Sequence, residues 1–252
     1  MRFASLGSGS AGNGLVVEVA HTRVMLDCGF GLSDTVSRLA RLDLLPSDLT
    51  GIVITHEHSD HIGGAGRFAR KYALPVWLTA GTLCMAQDMD KVDVRVIDSH
   101  ALFAIGDMAV QPFPVPHDAR EPVQFVFGDG ARKLGVLTDV GCSTPHIEAI
   151  LADVEALVLE CNHDRTMLAQ GAYPPGLKKR VGGRFGHLEN SQSAEILSKL
   201  KHDKLQCVMA AHISRKNNTP ALARRALAQV LHCADDEIRV ACQFAGFDWI
   251  TI

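Results

Sequence analysis

Much of what this 252-residue chain lacks narrows its chemistry before any motif is considered. No apolar run approaches the roughly 18 residues of a membrane span. Met1-Arg2-Phe3-Ala4-Ser5-Leu6-Gly7 has no long apolar stretch of the kind that directs export, so the expected location is the cytoplasm. Seven cysteines, an odd number without a Cys-x-x-Cys pair, argue for reduced thiols and against a disulfide framework or a zinc knuckle. Aromatic residues make up only 6%, with no aromatic-rich strip for stacking bases. The net charge of −3, with no basic tail, excludes nucleic-acid affinity built on bulk charge. There is no Gly-x-Ser-x-Gly elbow for a serine nucleophile. Without a Pro/Ser linker, repeat or low-complexity tract, residues 1–252 are expected to form one domain large enough to bury most of its apolar surface.

What is present is concentrated in Thr55-His56-Glu57-His58-Ser59-Asp60-His61, which sets four potential metal ligands within six residues directly after the apolar run Gly51–Ile54. The run reads as a short buried strand, so the histidines fall in the turn that follows it. Asp60 and His61 then open a helix continuing from Ile62 to Tyr72. Imidazole with carboxylate suits zinc, manganese or iron rather than calcium. His56 and His58 face one ion on this spacing, and Asp60 and His61 face a second. So short a turn cannot enclose two ions, and three other strand-like runs end in suitable residues: His117, Asp139 and His212. Each of these alone reads equally well as a core or capping residue.

The patterning gives strands at Arg2–Leu6, Leu15–Ala20, Arg23–Asp27, Val76–Thr79, Val94–Ile97, Ala109–Val115, Val123–Phe127, Lys133–Leu137, Ala156–Glu160 and Gln206–Ala211. Helices are expected at Ser33–Leu42, Thr82–Gln87, Thr144–Leu151, Gln192–Leu200 and Pro220–Leu231. This α/β alternation fits an αββα sandwich and a doubly wound sheet equally.

The His-x-His-x-Asp-His motif resembles the signature of the metallo-β-lactamase-fold hydrolases, and that resemblance favours the αββα four-layer sandwich. It implies His56, His58 and His117 at one metal and Asp60, His61 and His212 at another, with Asp139 bridging them. Aspartate at the bridging position is similar to the phosphodiesterase and nuclease branches, and Cys142 reads as a bystander. Ser8–Asn13, Leu159–Asp164, Gly186–Asn190 and His212–Asn218 further resemble segments of the YycJ/WalJ group of bacterial DNA exonucleases. Glu189 stands where that group usually has serine.

The chemistry the resemblance implies is hydrolysis by two divalent ions, zinc or manganese, about 3.5 to 4 Å apart, with a metal-bound hydroxide as nucleophile. Asp60 and Asp139 are placed to orient that water. Asp27 and Asp118 are candidates to hydrogen-bond a ligand imidazole, and Asp27 reads equally as a turn cap. The positions matching a His/Glu pair of the transfer-RNA-processing branch are His187, as general acid, and Glu160, its orienting carboxylate. His163 is a weaker acid candidate that reads also as a helix cap. Lys178, Lys179, Arg180, Arg184 and Arg215 are candidates to bind substrate phosphate, or else form solvated faces. Gly182-Gly183 and the loop Gly7–Asn13 would let backbone approach an anion. Phe185 is a candidate base-stacking ring, with core packing the commoner fate of such a residue. The expected function is a dinuclear phosphodiesterase acting on nucleic acid, DNA rather than RNA. The alternatives are a small cyclic or nucleotide-like phosphate, and a thioester or lactone.

Overall fold

A computed structural model describes all 252 residues. The first half of the chain builds one sheet from β1 (Arg2–Gly7), β2 (Gly14–Val19), β3 (Thr22–Leu26), β4 (Gly51–Val53), β5 (Val76–Thr79) and β6 (Val94–Ile97). The second half builds another from β7 (Phe103–Ile105), β8 (Met108–Pro114), β9 (Val123–Gly128), β10 (Lys133–Leu137), β11 (Ala156–Glu160), β12 (Cys207–Ala211) and β13 (Arg239–Val240). The last strand, β14 (Phe247–Thr251), returns to the first sheet and pairs antiparallel with β1. Each sheet is mixed. β1, β2 and β3 run antiparallel before β4, β5 and β6 add in parallel, and β7 to β10 run antiparallel before β11, β12 and β13 add in parallel.

Most strands are buried on both faces, which explains why they read as nearly continuous apolar runs. In β11, Ala156 and Val158 face the other sheet, while Leu157 and Leu159 face helices. Between the sheets, Phe3, Val17, Val24 and Val53 meet Val110, Phe125, Phe127 and Val136. Outside the first sheet lie α1 (Leu32–Ala40), α2 (Ser59–Ile62), α3 (Ala65–Tyr72) and α4 (Ala80–Met85), with Leu39, Phe68 and Ala69 in the core. The second half contributes α5 (Pro145–Leu151), α6 (Arg165–Gln170), α7 (Pro175–Val181), α8 (Asn190–Leu200) and α9 (Pro220–Leu231). Of these, α5, α8 and α9 cover the second sheet. The result is the αββα sandwich.

Three differences from the sequence expectation have local causes. The helix expected through Ile62 to Tyr72 breaks at Gly63-Gly64 into α2 and α3. The break admits another loop, since a Cβ on Gly64 would lie 1.9 Å from the Phe30 carbonyl oxygen. β14 is an edge strand with mixed burial and gives little periodic signal. α6 and α7 are only six and seven residues long, and the three consecutive cations of α7 mask any apolar periodicity there. No helix is long and apolar enough to cross a membrane.

Phe125 is completely buried between the sheets. Phe125→Ala is expected to lower stability by about 3–5 kcal/mol through lost burial and the cavity left behind. Urea unfolding measures this, and a loss below about 1 kcal/mol would contradict the inter-sheet packing.

Candidate metal centre

Both sheets present the carboxyl ends of strands at one edge of the sandwich, the usual place for a site in α/β architecture. His56, His58, Asp60 and His61 follow β4, His117 follows β8, Asp139 follows β10, Glu160 ends β11, and His212 follows β12. The fold thus brings together all seven ligand candidates from four separate chain segments, with Glu160 from a fifth beside them. His56, His58 and His117 form one set, and Asp60, His61 and His212 another, with the ligand atoms of each set within 4.8 Å of one another. Asp139 lies between the two sets. Its Oδ2 is 3.2 Å from His61 Nε2 and its Oδ1 is 3.8 Å from His117 Nε2.

The nitrogen directions fit cations. In the first set, His58 Nδ1 lies 2.9 Å from His56 Nε2 and 3.3 Å from His117 Nε2. Nitrogens about 2.0–2.1 Å from a tetrahedral zinc stand roughly 3.3 Å apart. The opposite ring nitrogens are taken by fixed oxygens. His61 Nδ1 donates to Asp27 Oδ2 at 2.7 Å, His117 Nδ1 to the Gly186 carbonyl at 3.1 Å, and His212 Nδ1 to Glu160 Oε1 at 2.9 Å. His56 Nδ1 donates to Thr55 Oγ1 at 2.9 Å, whose hydroxyl in turn donates to Asp27. These partners direct all four Nε2 atoms inward, the second layer of hydrogen bonds a metal site needs. Asp139 Oδ2 and His212 Nε2 are buried polar atoms without hydrogen-bond partners, as expected of atoms reserved for a cation.

Backbone strain marks the same places. Asp27, Asp139 and His212 have φ of 60°, 52° and 52°, a left-handed conformation that aspartate tolerates and histidine adopts less often. Close approach matters at Gly29, where a Cβ would lie 1.8 Å from the Asp60 carbonyl oxygen. With no side chain at Gly29, Asn13 of the glycine-rich loop reaches the same carbonyl. Its backbone N–H donates to the Asp60 carbonyl at 2.8 Å, and its Nδ2 faces His61 Nε2 at 3.1 Å. Ser8 Oγ accepts the His212 N–H at 2.9 Å. The loop therefore braces the ligand-bearing turns rather than cradling an anion. These contacts join distant segments, and the Gly-Asn pattern of the loop is their only trace in the sequence.

His187 and Glu160 meet as expected, with His187 Nδ1 2.9 Å from Glu160 Oε1. Beside them is a cavity of about 370 Å³ lined by Ser10, Asp60, Asp118, Arg180, His187 and His212, among others. A larger cleft of about 760 Å³ lies around Cys207 and Arg239, at the opposite ends of the strands, and contains none of the ligand sets.

Of the five candidate phosphate-binding cations, only Arg180 lines the cavity, where its guanidinium pairs with Asp118. Lys178 turns back to the Ala169 carbonyl, Arg215 lies over the Phe244 ring, and Lys179 and Arg184 are exposed outside the cavity. For Lys178 and Lys179 the cause is helical, since consecutive residues of α7 point in different directions. Gly182 and Gly183 pack against backbone oxygens of Lys178 and Lys179, and so serve the end of α7. Asp118 makes no hydrogen bond to a ligand imidazole: the Gly186 carbonyl holds His117, and His58 Nε2 stands 4.0 Å from Asp118 Oδ1. His163 is buried and does not line the cavity, and the cap of α6 is Asp164. Phe185 is 62% exposed rather than packed in the core.

Charge is divided unevenly across the cluster. Burial, followed by His61, pushes His56 well below the ordinary imidazole range, and burial also lowers His117. Burial opposes charge on His212 too, but Asp139, Asp60 and Glu160 outweigh it and raise that ring to about 10. Asp139 and Asp27 likewise hold His61 well above its ordinary value despite complete burial. Burial would raise Glu160, yet His187 and His212 bring it down to about 2. His187 is raised against burial by Glu160 and Asp139.

Comparison with known proteins gives the same fold. The profile described as "Beta-lactamase superfamily domain" matches residues 22–213. The chain is 35% identical over 237 residues to a protein named exodeoxyribonuclease YycJ from Bacillus anthracis, covering 92% of this chain and 89% of that one. It is 30% identical over 253 residues to exodeoxyribonuclease WalJ from Streptococcus pneumoniae, covering 98% and 93%. The crystal structure of YhfI from Bacillus subtilis, a metallo-beta-lactamase fold protein, superposes with a TM-score of 0.78 at 14% identity, over 99% of this chain and 98% of that one.

Asp27→Asn retains a residue that tolerates positive φ and removes the carboxylate beneath His61. It is expected to weaken metal affinity about 10- to 100-fold with the fold retained. Chelator competition measures the affinity and circular dichroism the fold, and unchanged affinity would remove Asp27 from the support of the site.

Proposed function

This chain belongs to the beta-lactamase superfamily as a metal-dependent hydrolase, and from that membership we propose that it is a dinuclear phosphodiesterase, most specifically an exodeoxyribonuclease. His56, His58 and His117 would hold one divalent ion and Asp60, His61 and His212 the other, with Asp139 shared. The histidine-rich donor set suits zinc, and its carboxylates also accommodate manganese. Bound there, two such ions supply a water of lowered pKa and neutralise negative charge developing on the substrate.

The observation that carries phosphodiester chemistry is the His187–Glu160 pair at the cavity wall. A departing alkoxide needs a proton, and an imidazole kept charged by a buried carboxylate can supply one. With Nδ1 committed to Glu160, His187 holds the transferable proton at Nε2 and offers it to the leaving oxygen. Arg180 adds positive charge at the mouth, and Ser10 and Ser59 bring hydroxyl groups. DNA as the substrate rests on the names of the two relatives. A second reading, a small cyclic or nucleotide-like phosphate, draws on the cavity volume, near the lower end of ligand-sized pockets.

Metal-stripped protein reconstituted with zinc or manganese tests both readings against end-labelled single- and double-stranded DNA, RNA and bis(p-nitrophenyl) phosphate. Progressive loss from one DNA end, abolished in Asp60→Ala, is expected. Cleavage of the small diester alone would move the assignment to the second reading. His187→Ala is expected to lower turnover about 10²- to 10⁴-fold while retaining metal. Equal loss of metal and activity would remove its role as acid.

A further inference from the structure

We propose that Phe185 and Phe244 are stacking platforms for unpaired bases of a polynucleotide end entering the metal cavity. This rests on the phosphodiesterase reading and adds how the chain outside the scissile phosphate is held. The two phenyl rings are each 62% exposed, while most of the other large apolar side chains are buried. A single exposed apolar residue needs no explanation, but both rings are displayed by braced turns, that of Phe185 running into the cavity wall and that of Phe244 joined to it through the glycine-rich loop.

Phe185 stands in a tight turn closed by the Gly186 N–H to the Gly183 carbonyl at 2.9 Å and followed by His187. A Cβ on Gly141 would lie 2.6 Å from the Phe185 nitrogen, and one on Gly186 would lie 2.1 Å from the Arg180 carbonyl oxygen. The backbone beneath the ring is therefore packed from two sides, and its next two residues line the cavity. Phe244 stands in the turn closed by the Gly246 N–H to the Cys242 carbonyl at 2.9 Å. Arg38 donates to the Phe244 carbonyl at 2.8 Å. The neighbouring Gln243 clasps the glycine-rich loop, accepting from Ala11 N–H at 2.9 Å and donating to the Gly12 carbonyl at 2.8 Å. Ser10 of that loop lines the cavity.

Cations accompany both rings. Arg184 precedes Phe185, and the Arg215 guanidinium, three residues beyond His212, lies 4.9 Å over the Phe244 ring. Rings interleaved with cations bind single strands with little sequence preference, because every base has a π face. Stacking also supplies affinity that a net charge of −3 cannot. The bases must be unpaired, since a duplex covers their faces with neighbouring pairs.

The test uses the metal-reconstituted full chain. Phe185→Ala and Phe244→Ala are each expected to raise KM for single-stranded DNA roughly tenfold, with kcat and melting temperature unchanged, and Trp at either position should restore KM. In Phe185→Trp and Phe244→Trp, a phosphorothioate oligothymidylate should quench the added indole fluorescence, whereas an abasic strand of equal length should not. Unchanged KM in both alanine variants, or equal quenching by the abasic strand, would overturn the stacking proposal while leaving the phosphodiesterase reading intact. Failure of the wild-type protein to cleave any polynucleotide while it cleaves the small diester would overturn this proposal together with the assignment to DNA.

Discussion

Glu160 is the interaction on which the rest of the centre depends. Its carboxylate is fully buried and accepts four N–H groups: His187 Nδ1 and His212 Nδ1 on Oε1, and the Val140 and Leu188 backbone on Oε2. A buried carboxylate is tolerable only when it is so completely satisfied. These four bonds join the loop after β10, which carries Asp139, to the turn carrying His187 and to the end of β12. One oxygen therefore orients both a metal-ligand candidate and the candidate acid. Their titrations belong to a coupled system rather than to separate residues, and removing the carboxylate would disturb both functions together.

Asp27 plays the corresponding part for the first sheet. It accepts the Thr55 N–H and hydroxyl and the His61 ring, so a carboxylate from one strand end fixes the turn emerging from the next. The left-handed backbone at Asp27, Asp139 and His212 is the conformational counterpart of this convergence. Regular strands would carry these side chains past the edge. An abrupt turn aims each into the space between the sheets, and the surrounding hydrogen bonds and inter-sheet packing offset the strain. Fold stability and site geometry are thus coupled through the same strand ends.

This coupling also decides what could be seen in the sequence. Strands β3, β4, β10, β11 and β12 were legible because two-sided burial leaves apolar runs, and the ligand candidates were legible because imidazole and carboxylate types cluster after them. The order of the layers came from the family resemblance, since alternation alone does not distinguish the two architectures. What escaped notice depends on distant segments meeting. The Gly186 carbonyl beneath His117 has no side-chain signature, and Asn13 against Asp60 joins residues 47 apart in sequence. The run Lys178–Arg180 looked like one basic patch, but a helix turns successive residues about 100° apart, leaving Arg180 alone at the cavity. Phe185 has the composition of a core residue and the position of a surface one, because Gly141 and Gly186 fix the turn beneath it.

The pairing of Arg180 with Asp118 would reconcile a nearly neutral protein with the anionic substrate proposed for it. Both side chains lie at the surface, where such a pair contributes only about 0–1 kcal/mol. A phosphate entering the cavity would therefore exchange one anionic partner of Arg180 for another at little energetic loss. Asp118 Oδ1 also stands 3.5 Å from His117 Nε2, so its negative charge adds to the carboxylates around the ligand cluster. The cavity is consequently not a basic trough that draws in any polyanion. On the proposed reading, its attraction for phosphate would depend on divalent cations held by the buried ligands, which would tie substrate binding to metal loading in the absence of a basic surface.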